Sequence, residues 1–348
     1  MIPPGAVPSG LSGRQADGAK EWAPEKGPTK VGTSKSARSE MSLEEFDRLF
    51  ESLKNWGRWG PTDEKGTLNY LTPERMRSAA GLVRTGRSVS MSIPINTLAG
   101  PDNPNPALHY MCTTHDIDAG SGEFLRFATD FLGMQLHGDC HTHIDALCHI
   151  AYKGQLYNGR PAESVTSRGA LGLDITAYAH GIIGRGVLID IPRLKGVPWL
   201  EPGQAVTRED IEAAEVAQGV RLGEGDIMVF RTGQHRRRLE LGAWDVGPTG
   251  LGRAGLDPYS LTLLHERRVA VFLPDGDGEV VPGPMQEIQY LIHPLQVAAM
   301  GMVVADSLQL EELVQVCEAE SRWEFLVCIA PLRLPKGTGS PFNPLAIF

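Results

Sequence analysis

Two short apolar runs, GVLIDI (186–191) and DIMVFRT (226–232), bracket a segment that reads as a helix. Thr207 is placed to cap REDIEAAEVAQ and Gly219 to stop it, so a strand, a capped helix and a second strand follow in order. Runs this apolar predict strands buried on both faces, which requires a sheet covered by helices. The pattern continues on either side. TPERMRSAAGLVRTG (72–86) has Thr72 as N-cap, Pro73 at the first helical position and Gly86 as stop, and SVSMSIPI (88–95) alternates in strand fashion. SLTLLHERR (260–268) predicts a helix that feeds the strand VAVFLP (269–274). Helix and strand are interleaved with no repeat and no linker after residue 40. One α/β domain with a mixed sheet is therefore expected over 41–348.

Composition removes several function classes. The 33 basic and 42 acidic side chains leave a net charge of −9, and the only basic block is Arg236-Arg237-Arg238, so a nucleic-acid partner is not expected. No stretch approaches the ~18 apolar residues that would span a bilayer, the nearest being LQVAAMGMVVA (295–305), and no membrane association is expected. Five cysteines without paired spacing fit a reducing compartment, and a cytoplasmic location is expected. Residues 1–40, rich in Gly, Pro, Ser and Lys and without an apolar central run, read as a flexible leader.

The chemistry concentrates in LHGDCHTHIDALCHI (136–150), which holds four of the ten histidines. RFATDFLGMQLH (126–137) reads as a strand running into it. On an extended segment, alternate side chains share a face, so Asp139, His141, His143 and Asp145 can all point one way. Two imidazoles and two carboxylates are the nitrogen and oxygen donors that suit Zn²⁺ or Mn²⁺, and the CxxC pairs of a structural zinc site are absent. His149 falls one helical turn beyond Asp145 if DALCHI begins a helix, within reach of the ion and free to move a proton. Scattered polar groups satisfying a turn are the plain alternative, and six in this pattern weigh against it. Cys140 and Cys148 read as small buried hydrophobes. GLGRAG (250–255) matches a dinucleotide fingerprint in letters, but no strand precedes it and it reads as a loop. DGDGE (275–279) lacks the rest of a calcium loop.

At THIDALCH the chain resembles the metal-dependent cyclase/hydrolase family that includes bacterial kynurenine formamidase and isatin hydrolase, whose signature is H-x-G-T-H-x-D-x-x-x-H. Thr142, His143, Asp145 and His149 fall on four signature positions. The first histidine is replaced by Asp139 and the glycine by His141. Either Asp139 ligates in place of imidazole, or His137 or His141 takes over; Asp139 is the first choice. WGRWGPTDEKGTLNYLTPE, GRGVLIDI, GDIMVFRTG and APLRLPKGTGSPFNPLAIF extend the resemblance over most of 56–348. It implies a mixed sheet partly closed into a barrel with flanking helices, a homodimer, and a second group of metal ligands, for which His293 and Asp306 fit.

The function expected is metal-dependent hydrolysis of an amide, lactam or lactone of a small molecule. The metal, Zn²⁺ or Mn²⁺, would be held by Asp139, His143 and Asp145, with His293 and Asp306 completing a second group. His149 would act as proton carrier, and His141 would hold the oxyanion or a substrate carboxylate. A cyclase or dehydratase on the same scaffold is the nearest alternative, and a non-catalytic metal-binding protein the second. Relative to the kynurenine formamidases, segments 42–70, 96–125 and 240–290 are additional, so their substrate does not carry over. Trp56, Trp59, His109, Tyr110 and His115 are candidates to line a pocket.

Overall fold

The computed structural model describes residues 40–116, 125–285 and 287–348. The leader expected over 1–40 lies outside the described residues except for Glu40. Nine strands form one mixed sheet. Its centre is four parallel strands in the order Ile182–Asp190, Ile227–Arg231, Val271–Pro274 and Val303–Asp306. The middle two are buried at every position, as their apolar runs predict, while Ile182–Asp190 is half-exposed only near its start. Antiparallel strands extend both edges: Glu324–Ile329, Leu345–Ile347 and Ser88–Ser90 on one side, His143–Asp145 and Gly339–Pro341 on the other. The sheet curls into a half-barrel with helices around it, in agreement with the fold class expected.

Local signals place the helices. Thr207 and Asp210 form a capping box for the helix Arg208–Gln218, and Gly219 ends it in the left-handed conformation that a residue without Cβ adopts freely. The helix predicted over 72–86 stops earlier, at Pro73–Ala80. Beyond Gly81 the backbone is drawn to the chain's end instead, with Thr85 and Gly86 N–H both donating to the Phe348 carbonyl (3.0 and 2.8 Å). The strand predicted over 88–95 is confined to Ser88–Ser90.

The entry segment fixes the helix next to the site. Leu43–Leu53, capped by Ser42 and Glu45, buries Phe46, Leu49, Phe50 and Leu53, each worth roughly 2 kcal/mol of apolar burial. Asn55 Nδ2 donates to the Met300 carbonyl (2.9 Å) and Trp56 Nε1 to that of Ala298 (2.8 Å). Both carbonyls belong to a wide-turn π-helix, Pro294–Met300, whose N-cap is His293. Trp56 and Trp59 thus pack against the core and do not line the site.

Candidate metal centre

Strand register brings the first ligands together. His143 and Asp145 alternate on one face of their strand, and Asp306 pairs directly with His143 on the neighbouring strand. His143 Nε2 lies 3.6 Å from Asp145 Oδ1 and 3.7 Å from Asp306 Oδ2. Its Nδ1 faces the His141 carbonyl at 2.8 Å, which leaves Nε2 free. Thr142 anchors the strand start, its hydroxyl donating to Ser307 O (2.6 Å) and accepting from Ile93 N–H (2.8 Å).

The residues before and after that strand supply the rest. His137 Nδ1 is 2.8 Å from Asp145 Oδ1, and its Nε2 is 3.0 Å from the Thr338 hydroxyl. Gly339 opposite Asp145 makes room for it: a Cβ there would meet His137 Cε1 and the Ile144 carbonyl at 2.8 Å. His149 stacks flat on His137, with ring centres 3.5 Å apart and planes 3° from parallel. It reaches this position through a turn, His149 N–H donating to Ala146 O (2.9 Å), and not through the helix expected. Two donor sets result, His137/Asp145/His149 and His143/Asp145/Asp306, each with its ligand atoms within 4.8 Å of one another.

A divalent ion fits these residues. Both Asp145 carboxylate oxygens, His137 Nδ1 and Asp306 Oδ1 are buried without an aligned hydrogen-bond partner, and burying such atoms unpaired is costly. Nitrogen and carboxylate oxygen are donors that suit Zn²⁺ or Mn²⁺. Burial pushes the Asp145 pKa up, but the His137 contact, with the neighbouring imidazoles adding, outweighs it and holds the carboxyl below its usual range. Burial lowers His149 to about 4 against the opposing pull of Asp145, with the other imidazoles adding, so it is neutral at pH 7. A cavity of about 320 Å³, lined by His137, His143, His149, Tyr290, His293 and Asp306 among others, opens onto both sets.

The sequence model of the Cyclase family matches residues 89–277. A solved structure described as a novel cyclase is 34% identical, with a TM-score of 0.77 over 86% of this chain and 99% of that one. The chain belongs to the cyclase family. Isatin hydrolase A from Labrenzia aggregata, bound to benzyl benzoate, shares the fold at 19% identity and a TM-score of 0.56, over 77% of this chain and 94% of that one. Isatin hydrolase A from Ralstonia solanacearum does so at 20% identity and 0.52, over 79% and 97%. No curated protein matches.

In this cyclase-family chain, several expected positions differ. RFATDFLGMQLH does not run into the cluster as a strand; Thr129–Gly133 pairs with Leu108–Thr113 in a separate hairpin, and 134–142 is turn and loop. The extended backbone that would align Asp139 and His141 with His143 exists only over His143–Asp145. Asp139 is consequently absent from both donor sets and pairs with Arg253 (Oδ1–Nη1, 2.6 Å). His137, one of the alternatives left open, occupies the position by Asp145. The His141 ring is buried, does not line the cavity, and has neither nitrogen hydrogen-bonded. His109 pairs with Asp130 and Tyr110 stacks on Phe131 in the hairpin, and neither lines the cavity, nor does the exposed His115.

His293 and Asp306 do meet, Nε2 to Oδ2 at 3.2 Å. Sequence reasoning missed what orients them. Glu279 accepts from the Leu291, Ile292 and His293 amides (2.8, 2.9 and 2.9 Å) and lies 2.9 Å from His293 Nδ1. Burial alone would depress His293, but Asp306 and Glu279 hold its pKa well above the usual imidazole value. Arg253, in the GLGRAG loop, is buried between Asp139 and Asp277, with Nη2 2.7 Å from the Asp277 carboxylate. The alternating acids of DGDGE were the available signal. Asp275 accepts from the amides of Thr232, Gly233 and Gln234, Asp277 pairs with Arg253, and Glu279 holds His293. Arg236, Arg237 and Arg238 are each paired with an acid, Glu240, Glu201 and Asp102, and offer no basic patch. Among the described residues, no helix is long and apolar enough to cross a membrane.

Proposed function

We propose that this chain is a metal-dependent hydrolase of a small-molecule amide, lactam or lactone, using Zn²⁺ or Mn²⁺. The observation that carries the reading is Asp145: a buried carboxylate with no aligned hydrogen bond to either oxygen, shared by two donor sets whose histidines line a cavity. When bound, the ion supplies Lewis acidity to water and to the substrate carbonyl. His143, Asp145 and Asp306 would hold it, with His137 and His293 beside them. His149, neutral and at the cavity wall, would take a proton from water as the new C–O bond forms and deliver it to the leaving nitrogen or oxygen as the scissile bond breaks. The isatin hydrolase neighbours hydrolyse a cyclic amide by their names, and this supports an amide or lactam as the first class to assay.

The cavity favours catalysis over mere metal storage, because a storage site would close around its ion. The exposed Leu108, Tyr110, Met111, Phe131 and Leu132 of the hairpin support a homodimer, which light scattering on the purified chain would test. The functional test is His149→Ala, assayed for turnover and metal content on the same sample. The reading expects a loss of about 10²-fold or more in turnover with metal retained. Loss of the metal together with turnover would make His149 a ligand, and unchanged turnover would remove it from the mechanism.

A further inference from the structure

A second cavity, of about 550 Å³, adjoins the chain segment 139–140. Gly138 faces the metal cavity, Cys140 faces the second one, and Asp139 lines both. The two cavities share Asp139 in their linings, and Arg253 holds its carboxylate at 2.6 Å. The second cavity is walled by Ile93, Ile95, Leu239, Ala243, Trp244 and Val246 on its apolar side.

Its charged groups are already neutralised. Asp102 pairs with Arg238, Asp139 with Arg253, and Asp275 is saturated by the amides that open the helix Gln234–Leu241. Two polar atoms remain buried and unpartnered, Gln234 Oε1 and His235 Nδ1. His235 is 8% exposed. Burial, reinforced by Arg238, lowers its pKa to about 4, so the ring adds no charge at pH 7. An acceptor and a neutral imidazole nitrogen in an apolar chamber call for an uncharged partner bearing a polar hydrogen.

We propose that this cavity is the second compartment of the substrate site. It receives an uncharged, apolar, ring-sized group carried by a substrate whose scissile carbonyl is presented to the metal cavity across Asp139. The substrate class is therefore a two-part molecule, with a hydrolysable amide, lactam or lactone joined to a neutral apolar appendage. The link to turnover rests on the hydrolase reading above, whereas occupancy of the cavity stands on its own geometry.

The test is calorimetric titration of the Mn²⁺-incubated chain with 2-naphthol, which is neutral at pH 7 and carries one O–H donor, and with anionic 2-naphthalenesulfonate. One equivalent of 2-naphthol should bind, and the sulfonate should bind at least tenfold more weakly because its charge would be buried where Arg238 is already paired with Asp102 and no free cation among the described residues is offered to it. Ala243→Trp, at the exposed rim, should weaken 2-naphthol at least tenfold, and Gln234→Leu severalfold. Asp145→Ala should leave 2-naphthol binding in place, which separates the two cavities. In the Mn²⁺-loaded chain, the bound probe's proton relaxation should be enhanced, and Ala243→Trp should abolish the enhancement. No stoichiometric binding, binding indifferent to Ala243→Trp, or binding without enhancement in a metal-loaded chain would overturn the proposal. A chain that takes up no metal but binds 2-naphthol in an Ala243-dependent way would overturn the hydrolase reading and uphold the cavity.

Discussion

The two donor sets share Asp145 but are built differently. His143, Asp145 and Asp306 lie on adjacent strands and are buried, so the sheet's hydrogen bonds hold their geometry whether or not an ion is present. His137 and His149 lie on turns either side of the strand, with side chains 22% and 26% exposed at the cavity, and depend on stacking, Thr338 and the space left by Gly339. On the proposed reading, the sheet would retain the ion and the turns would meet the substrate. A site of this kind is preorganised where it binds metal and adjustable where it meets the reacting molecule.

The sharpest way to break that contrast is Asp145→Ala, because it belongs to both sets. Metal content should fall to background and turnover by more than about 10²-fold, beyond what losing a supporting residue produces; retained metal would show that the sets are independent. Glu279→Gln probes the sheet side through His293, and metal affinity should weaken about 10–100-fold as read by chelator competition. Unchanged affinity would reduce Glu279 to a cap for the 291–293 amides.

The smallest effect separates the two histidine environments by pH. His149 has a lowered pKa, about 4, so its contribution to stability is present above its unfolded value of 6.5 and is lost as pH falls towards 4. Urea unfolding of the chelator-treated chain should therefore lose about 2 kcal/mol from this group between pH 7 and pH 5, and His149→Gln should flatten that slope. His293, with a raised pKa, acts in the opposite sense: its contribution is full below 6.5 and is lost as pH rises through its folded value. A steeper acid limb in His149→Gln would contradict the assignment.

Much of this was legible in the chain. The apolar runs at 186–191 and 226–232, with the capped helix between them, mark buried parallel strands because composition and capping point the same way. His143 and Asp145 were readable from period-two spacing, since that stretch is a strand. Asp139 and His141 were not, because the same argument was extended into a turn whose course is set by distant partners: Arg253 takes Asp139, and Ser307 donates to its carbonyl (3.0 Å). Glu279 and Arg253 lie in DGDGE and GLGRAG, whose letters point to a calcium loop and a dinucleotide loop, and their roles come from partners 14 and 114 residues away that no local pattern encodes. The second cavity is a product of two loops and a short helix meeting, and no local pattern encodes it.

The central claim is that Asp145, with His137 and not Asp139 beside it, forms a metal centre. Elemental analysis after incubation with Zn²⁺ or Mn²⁺ and desalting, on the untagged wild type, Asp139→Asn, His137→Ala and Asp145→Ala, tests it most directly. The account predicts at least one equivalent of metal in the wild type and in Asp139→Asn, less in His137→Ala and none in Asp145→Ala. A metal-free wild type, or metal lost in Asp139→Asn and fully kept in His137→Ala, would contradict it.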